Sequence, residues 1–318
     1  MPVSGPYFPL QLTSVQRVQT ALNNVPPDLV IAASGGAAVS AICNGSKWNA
    51  TLVKKSALEI DSDTLYEAPG PLVPSFFNWL FTGNVLAHAS KRLYAFCEKI
   101  LENNTKPEIF IGTYCTTNER HTIFSTSDVT TSAIPLLGHE KSDILYLNGN
   151  IPAITRALLA SAAIPNVLLP VCVIKKDNKV YVDGGVSAPS PWTYIWPLAM
   201  GRTGYLKIIY FCSTLTVGLL PFDSLKFFPS WCKEVCVREF MDLEDQFKFR
   251  CGSSVTMLED VDINKIIPYY KASKQAVLIV KPYHQQGRYN FSIFHYCGKS
   301  ITNIMDRFKN ISYRLLYV

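Results

Sequence analysis

Charge is scarce in this chain. Of its 318 residues only 17% are Asp, Glu, Lys or Arg, while 48% are hydrophobic. Mean hydropathy is slightly positive at +0.13. That balance excludes an extensively disordered protein and leaves enough apolar side chains for a substantial core. Long apolar runs are missing as well. No stretch approaches the ~20 uninterrupted apolar residues that a membrane-spanning helix needs. The start, MPVSGPYFPLQL, lacks a basic segment followed by an apolar one, so no signal peptide is expected. Nine cysteines make an odd count and are scattered singly, except for Cys232 and Cys236. Without a signal peptide this usage implies reduced thiols and a cytoplasmic setting. The sequons Asn44-Gly45-Ser46 and Asn310-Ile311-Ser312 then carry no glycan, because glycosylation requires the secretory route. Cys232-x3-Cys236 has no further ligands at metal-site spacing, so neither metal nor cofactor is expected.

The net charge of +6 is unevenly placed. Residues 1–201 carry 14 Lys+Arg against 14 Asp+Glu, and residues 202–318 carry 16 against 10. A basic last third is ordinarily a solvated face; functionally it can attract anionic lipid. No zinc-finger or RNA-binding signature accompanies it, so nucleic acid is not an expected partner.

There is no internal repeat. Apolar strand patterns occur at Asp28–Ala33, Glu108–Cys115, His121–Ser125, Asp143–Leu147, Lys179–Val182, Leu206–Cys212 and Ala276–Lys281. Helical patterns fall at Ser14–Asn23, Gly35–Cys43, Leu86–Glu102, Ile151–Ala162 and Ser300–Leu316. Apolar strands alternating with amphipathic helices predict an α/β fold with a mostly parallel sheet covered on both faces. Residues 60–85 and 213–270 interrupt the alternation. The first contains APGPLVPSFFNWLFTG, rich in Pro, Gly and aromatics; the second is irregular.

Residues 29–41 read LVIAASGGAAVSA. An aliphatic strand ends in small residues with one serine at the break, and a helical pattern follows. This is the form of a nucleophile elbow, in which a serine oxygen projects from a tight strand-to-helix turn between neighbours too small to obstruct it. Ala32-Ala33-Ser34-Gly35-Gly36 fits with Ala32 in place of the first glycine. A helix from Gly35 would aim its first N–H groups at a developing negative charge. A Gly-rich packing turn is the plainer alternative. A phosphate cradle is poorly supported, since neither Gly-Lys-Ser/Thr nor Gly-x-Gly-x-x-Gly is present.

A serine hydroxyl needs a base. The order Ser34, Asp183, then His284 or His295 is that of an α/β-hydrolase triad, but 33 residues cannot hold the strands that precede the elbow in that fold. The alternative is a carboxylate acting on serine directly. Downstream, RALLASAAIPNVLLPVCVIKKDNKVYVDGGVSAPSPW ends a helix at Ala160-Ser161-Ala162-Ala163-Ile164-Pro165 and delivers Asp183 into Gly184-Gly185. Glycines directly after an aspartate at a strand end permit a sharp turn and close approach to the carboxylate.

These blocks resemble the patatin-like phospholipase family, lipid acyl hydrolases with a Ser–Asp dyad. Ala32-Ala33-Ser34-Gly35-Gly36 is similar to the family's Gly-x-Ser-x-Gly elbow. Ala160–Pro165, with Pro170 after it, is similar to Ala-Ser-x-Ala-x-Pro, and Asp183-Gly184-Gly185 to Asp-Gly-Gly/Ala. The likeness covers roughly residues 1–200. It implies a three-layer α/β/α fold in a single domain over 1–318, with 60–85 as a lid or cap and an irregular C-terminal part at 213–318. It implies Ser34 as nucleophile, Asp183 as base, and Gly36, Gly184 and Gly185 as motif glycines. The family's Gly-rich oxyanion loop falls at Ser4-Gly5-Pro6-Tyr7-Phe8-Pro9. Gly5 remains, Pro6 has no N–H to give, and Gly35 N–H is the other donor.

The activity so implied is phospholipase A-type hydrolysis of fatty acyl esters at a peripheral membrane surface. Two alternatives stand beside it: a catalytically degraded protein of this fold that binds lipid or a partner, and a hydrolase of soluble esters or thioesters. Phe76, Phe77 and Trp79 in GPLVPSFFNWLFTG are candidate lipid contacts at the headgroup boundary. The pattern from Ser300, with Lys299, Arg307, Lys309 and Arg314 beside Ile301, Ile304, Phe308, Ile311 and Leu315, is expected to dock by its apolar stripe while its basic residues add attraction to anionic lipid.

Overall fold

Strand β1 (Leu29–Ala33) is the apolar run ahead of the serine, and four of its five residues are buried. It belongs to the first of two principal sheets. The computed structural model describes residues 1, 8–60, 66–67, 88–89, 91–102, 107–128, 142–165, 168–187, 206–212, 243–249, 251–282, 298–308 and 310–318. Strands β2 (Tyr66–Glu67) and β3 (His88–Ala89) form a small antiparallel ladder. The first principal sheet has the order β1, β4 (Glu108–Cys115), β5 (Arg120–Ser125), β6 (Ser142–Tyr146), with β7 (Tyr181–Asp183) also on β4. β1 runs parallel to β4, and β5 parallel to β6. β4 and β5 form an antiparallel hairpin.

The second sheet has the order β8 (Lys207–Phe211), β10 (Ala276–Pro282), β11 (Ile311–Tyr317), β9 (Thr256–Asp260). Alternation along β10 divides two cores. Ala276, Leu278 and Val280 face the main one, and Val277 and Ile279 face a smaller one closed by Leu243 and Phe247. Period-two alternation with both sets buried describes a strand covered on both faces. The fold is α/β.

The helices are α1 (Phe8–Ala21), α2 (Gly35–Gly45), α3 (Ala50–Leu58), α4 (Lys91–Leu101), α5 (Ile151–Ser161), α6 (Ile263–Ala272) and α7 (Gly298–Arg307). Several start on a side-chain cap that satisfies an otherwise unpaired N–H. Asn49 accepts from Thr51 and Leu52 at the head of α3. Asn150 accepts from Ala153 at 3.0 Å at the head of α5, where Pro152 occupies the first turn. Asp262 accepts from Asn264 at 3.0 Å ahead of α6. Helices α2, α4 and α5 pack together, with α5 against β4; α1, α3 and α7 form a second group.

The predicted helix over Ser300–Leu316 is corrected. α7 stops at Arg307, and Ile311–Tyr317 is β11, paired with β10 and β9. Positions 301, 304, 308, 311 and 315 fit a helical stripe, yet 311, 313 and 315 also alternate. For so short a run, pairing partners decide. Ile301, Met305 and Phe308 are buried, so α7 docks by its apolar stripe on α1 and α3. Arg314 therefore stands on a strand, where it donates to Glu244 at 2.6 Å and to Glu259 at 3.0 Å. The stretch 213–270 also holds regular structure that its composition conceals: helical 243–249, β9 and α6. β9 is an edge strand with mostly exposed or half-buried residues, so it has no apolar signature. α1 starts at Phe8 rather than Ser14, and α4 at Lys91 rather than Leu86, because 88–89 belong to β3. Among the described residues, no helix is long and apolar enough to cross a membrane.

Candidate active site

Two strands meet end to end on one edge of β4. β1 pairs with β4 from Leu29↔Glu108 to Ala33↔Gly112. β7, running the opposite way, takes the next positions from Thr113↔Asp183 to Cys115↔Tyr181. The other edge of β4 is held by β5. The carboxyl ends of β1 and β7 thus face each other one β4 residue apart, which brings Ser34 and Asp183 together across 149 positions of sequence. The Ser34 hydroxyl donates to Asp183 Oδ2 at 2.6 Å.

Ser34 is held at φ 54°, ψ −130° as α2 begins. Positive φ is sparsely populated by non-glycine residues and costs on the order of 1–3 kcal/mol. The surrounding bonds enforce it. Ser34 N–H donates to Ser161 Oγ at 2.9 Å, and the Ser161 hydroxyl donates to the Gly112 carbonyl at 2.6 Å. Gly35 and Gly36 head α2, where the first N–H groups of a helix lack intrahelical acceptors. Gly36 is buried against the turn and Gly35 borders the cavity described below.

Asp183 is 3% exposed. Burial raises its carboxyl from the ordinary range to about 7, while the Ser34 hydroxyl and Gly185 N–H favour the ionised form and oppose that rise. Gly185 N–H reaches Asp183 Oδ1 at 2.7 Å, leaving Oδ2 to the serine. Gly184 cannot be larger: a Cβ there would lie 2.3 Å from the Gly112 carbonyl oxygen. Glycine at this place lets β7's end close onto β4.

Three contributors had no role in the sequence reading. Ser161, quoted there within Ala160–Pro165, ties the elbow to β4. The same segment receives the other strand, since Asp183 N–H donates to the Ala163 carbonyl at 3.0 Å. Ala160–Ala163 is therefore a strut between Ser34 and Asp183. Gly112, an unremarked glycine inside an apolar strand, is the point both sides abut; a glycine within a strand is the signal for such close approach. The third is His121, 4% exposed, whose Nδ1 lies 2.6 Å from Ser187 Oγ and fixes the turn that follows Asp183-Gly184-Gly185. Nothing in its sequence neighbourhood distinguishes His121.

An apolar cavity of about 130 Å³ opens beside Ser34. Its walls come from Gly35, Ala38 and Ala41 of α2, from Phe96 and Ile100 of α4, and from the α5 end at Ala162. Among the described residues, no three His, Cys, Asp or Glu side chains come together to hold a metal ion. Gly5, Phe76, Phe77, Trp79, His284, His295, Cys232, Cys236 and Lys309 lie outside the described residues. So does most of the lid segment 60–85, apart from Ile60 and the backbone of β2.

The family model for patatin-like phospholipases matches residues 5–196, more than half of the chain. No curated protein matches it.

Proposed function

The chain belongs to the patatin-like phospholipase family, lipid acyl hydrolases, and from that premise we propose that Ser34 and Asp183 are its catalytic dyad in phospholipase A-type hydrolysis. The observation that carries this reading is the 2.6 Å hydrogen bond from a serine on a strained elbow to a buried carboxylate. In the first step Asp183 Oδ2 takes the hydroxyl proton as Ser34 Oγ attacks the ester carbonyl carbon. The oxyanion is stabilised by Gly35 N–H and, in this proposal, by Gly5 N–H. Asp183 then returns the proton to the leaving alcohol oxygen of the lysolipid, and an acyl-Ser34 ester remains. Water gives its proton to Asp183, attacks the acyl carbon, and releases the fatty acid as Ser34 regains its proton.

Asp183 suits both directions of transfer because burial places its acidity near neutrality. Phe76, Phe77 and Trp79 are proposed to contact lipid at the membrane surface. The test is fluorophosphonate labelling together with fatty-acid release from phosphatidylcholine vesicles. Wild type should label at Ser34 and release fatty acid, whereas Ser34→Ala should do neither. Asp183→Asn should lose at least ~10³-fold in turnover, since such a pair acts as a unit. Unchanged turnover in a folded Ser34→Ala protein overturns the assignment. Labelling without hydrolysis of any ester favours a lipid-binding protein of degraded activity.

A further inference from the structure

The cavity beside Ser34 has a measurable depth. Along α2 it is bordered by Gly35, Ala38, Ala41 and Ile42, one face of the helix at three- and four-residue spacing. From Gly35 to Ile42 the helix rises ~10 Å, at about 1.5 Å per residue. At the far end α2 and α4 close on each other. A Cβ on Gly45 would stand 2.3 Å from Ile100 Cγ2, so the Ile100 side chain is seated directly on the α2 backbone. Ile100 also lines the cavity, so the α2–α4 contact bounds it on that side. The α2 side of the lining is mostly small, with Gly35, Ala38 and Ala41, and faces the larger Phe96 and Ile100 of α4.

Length and volume agree on what fits. An all-trans chain advances about 1.2 Å per bond, a third of the ~3.5 Å span of an extended residue. About 10 Å therefore accommodates roughly eight bonds. A volume of about 130 Å³ is close to the ~150 Å³ of apolar cavities that take up benzene, a six-carbon ligand. On the reading of Ser34 as nucleophile, we infer that this cavity is an acyl-chain ruler, burying the first six to eight carbons of the acyl group and no more. Ala38 and Ala41 set its width, and the Gly45–Ile100 contact sets its depth. Carbons beyond the eighth gain no burial there and must leave along another path. The class of ester processed fastest thus carries a medium-length acyl group, whatever its alcohol.

The experiment is a p-nitrophenyl ester series from C2 to C16 below the aggregation limit of each ester. kcat/KM should rise about fourfold per methylene through C6–C8, the gain expected from burying each CH₂, and then level off or fall. A rise continuing through C14 overturns the ruler. Ala41→Phe should lower the C8-to-C4 ratio of kcat/KM at least tenfold, and Phe96→Ala should move the plateau to longer chains. Folding is checked by circular dichroism; where Ala41→Phe does not fold, Phe96→Ala decides, and an unmoved plateau there overturns the ruler. A chain-length profile flat from C2 to C16, with Ser34 still labelled by fluorophosphonate, removes the ruler and leaves the dyad. No turnover of any ester and no labelling removes both.

Discussion

The two principal sheets are built on opposite terms. In the second, β10 pairs with β11 over seven consecutive positions from Ala276↔Tyr317 to Pro282↔Ile311, and apolar side chains fill both faces. The first sheet is interrupted where it matters. β1 and β7 each end against β4, a serine takes positive φ, and small residues crowd the junction. Several non-glycine residues have positive φ up to Asn178, whereas among the described residues beyond it only Gly252 does. Continuous pairing and apolar burial stabilise; a positive-φ serine beside a buried carboxyl destabilises. The comparison teaches that strain at Ser34 and the unfavourable burial of Asp183 persist because the surrounding structure over-determines them.

The sharpest break of that contrast is a pair of substitutions. Gly184→Ala drives a methyl into the Gly112 backbone, and a shift of about 1 Å at the proposed dyad should lower kcat/KM by ~10²-fold. Leu278→Ala, at a fully buried position of β10, should cost about 2–5 kcal/mol in stability while the folded fraction keeps wild-type kcat. Ester kinetics with urea unfolding of both variants checks the division. Equal loss of kcat in both would show that the two sheets are not separable in function.

A second, smaller effect is read by pH. As the proposed base, Asp183 must be ionised to accept a proton, so kcat/KM should fall about tenfold per unit below the carboxyl's value of about 7. Stability runs the other way. A carboxyl raised above its unfolded value favours the folded state by proton binding; that contribution is full below about pH 4 and is lost as pH rises through about 7. Melting temperatures measured from pH 4 to 8 should therefore decline more in wild type than in Asp183→Asn. Parallel curves for the two proteins would contradict a buried, raised carboxyl.

The smallest effect belongs to the second sheet's surface. Arg314 bridges Glu244 and Glu259 while about a quarter exposed. Arg314→Met should change stability by no more than ~1 kcal/mol and leave ester turnover unaltered. A loss of vesicle binding in that variant would return Arg314 to the lipid-facing role that its pairing with two glutamates argues against.

The parts of this molecule that sequence makes legible are those in which one local rule suffices. An apolar run into Ser34-Gly35-Gly36 specifies a strand, a turn and a helix in order. Asp183-Gly184-Gly185 specifies a strand end with room beside it. The strut of Ser161 and Ala163 was visible as residues and invisible as a function, because its meaning lies in bonds to Ser34 and Asp183. Gly112 is marked only as a glycine inside an apolar strand, and His121 is identifiable only once its contact with Ser187 is seen. At Ile311–Tyr317 a helical stripe and a strand alternation coexist in the same letters, and the partner β10 selects the strand. β9, at the sheet edge, has no apolar face to announce it.

The head-to-head meeting of β1 and β7 also orders events in time. Pairings between distant segments are slow to form, since loop closure precedes any gain from contact. During synthesis the serine emerges 149 residues before its aspartate, which at ~5–20 residues per second is a delay of roughly 7–30 s. Through that interval the hydroxyl lacks its hydrogen-bond partner Asp183, the proposed base. The elbow can form early, with β1 and α2 adjacent in sequence, yet the Ser34–Asp183 bond waits until β7 docks against Thr113. On the dyad proposed above, completion of the fold is the event that arms the serine.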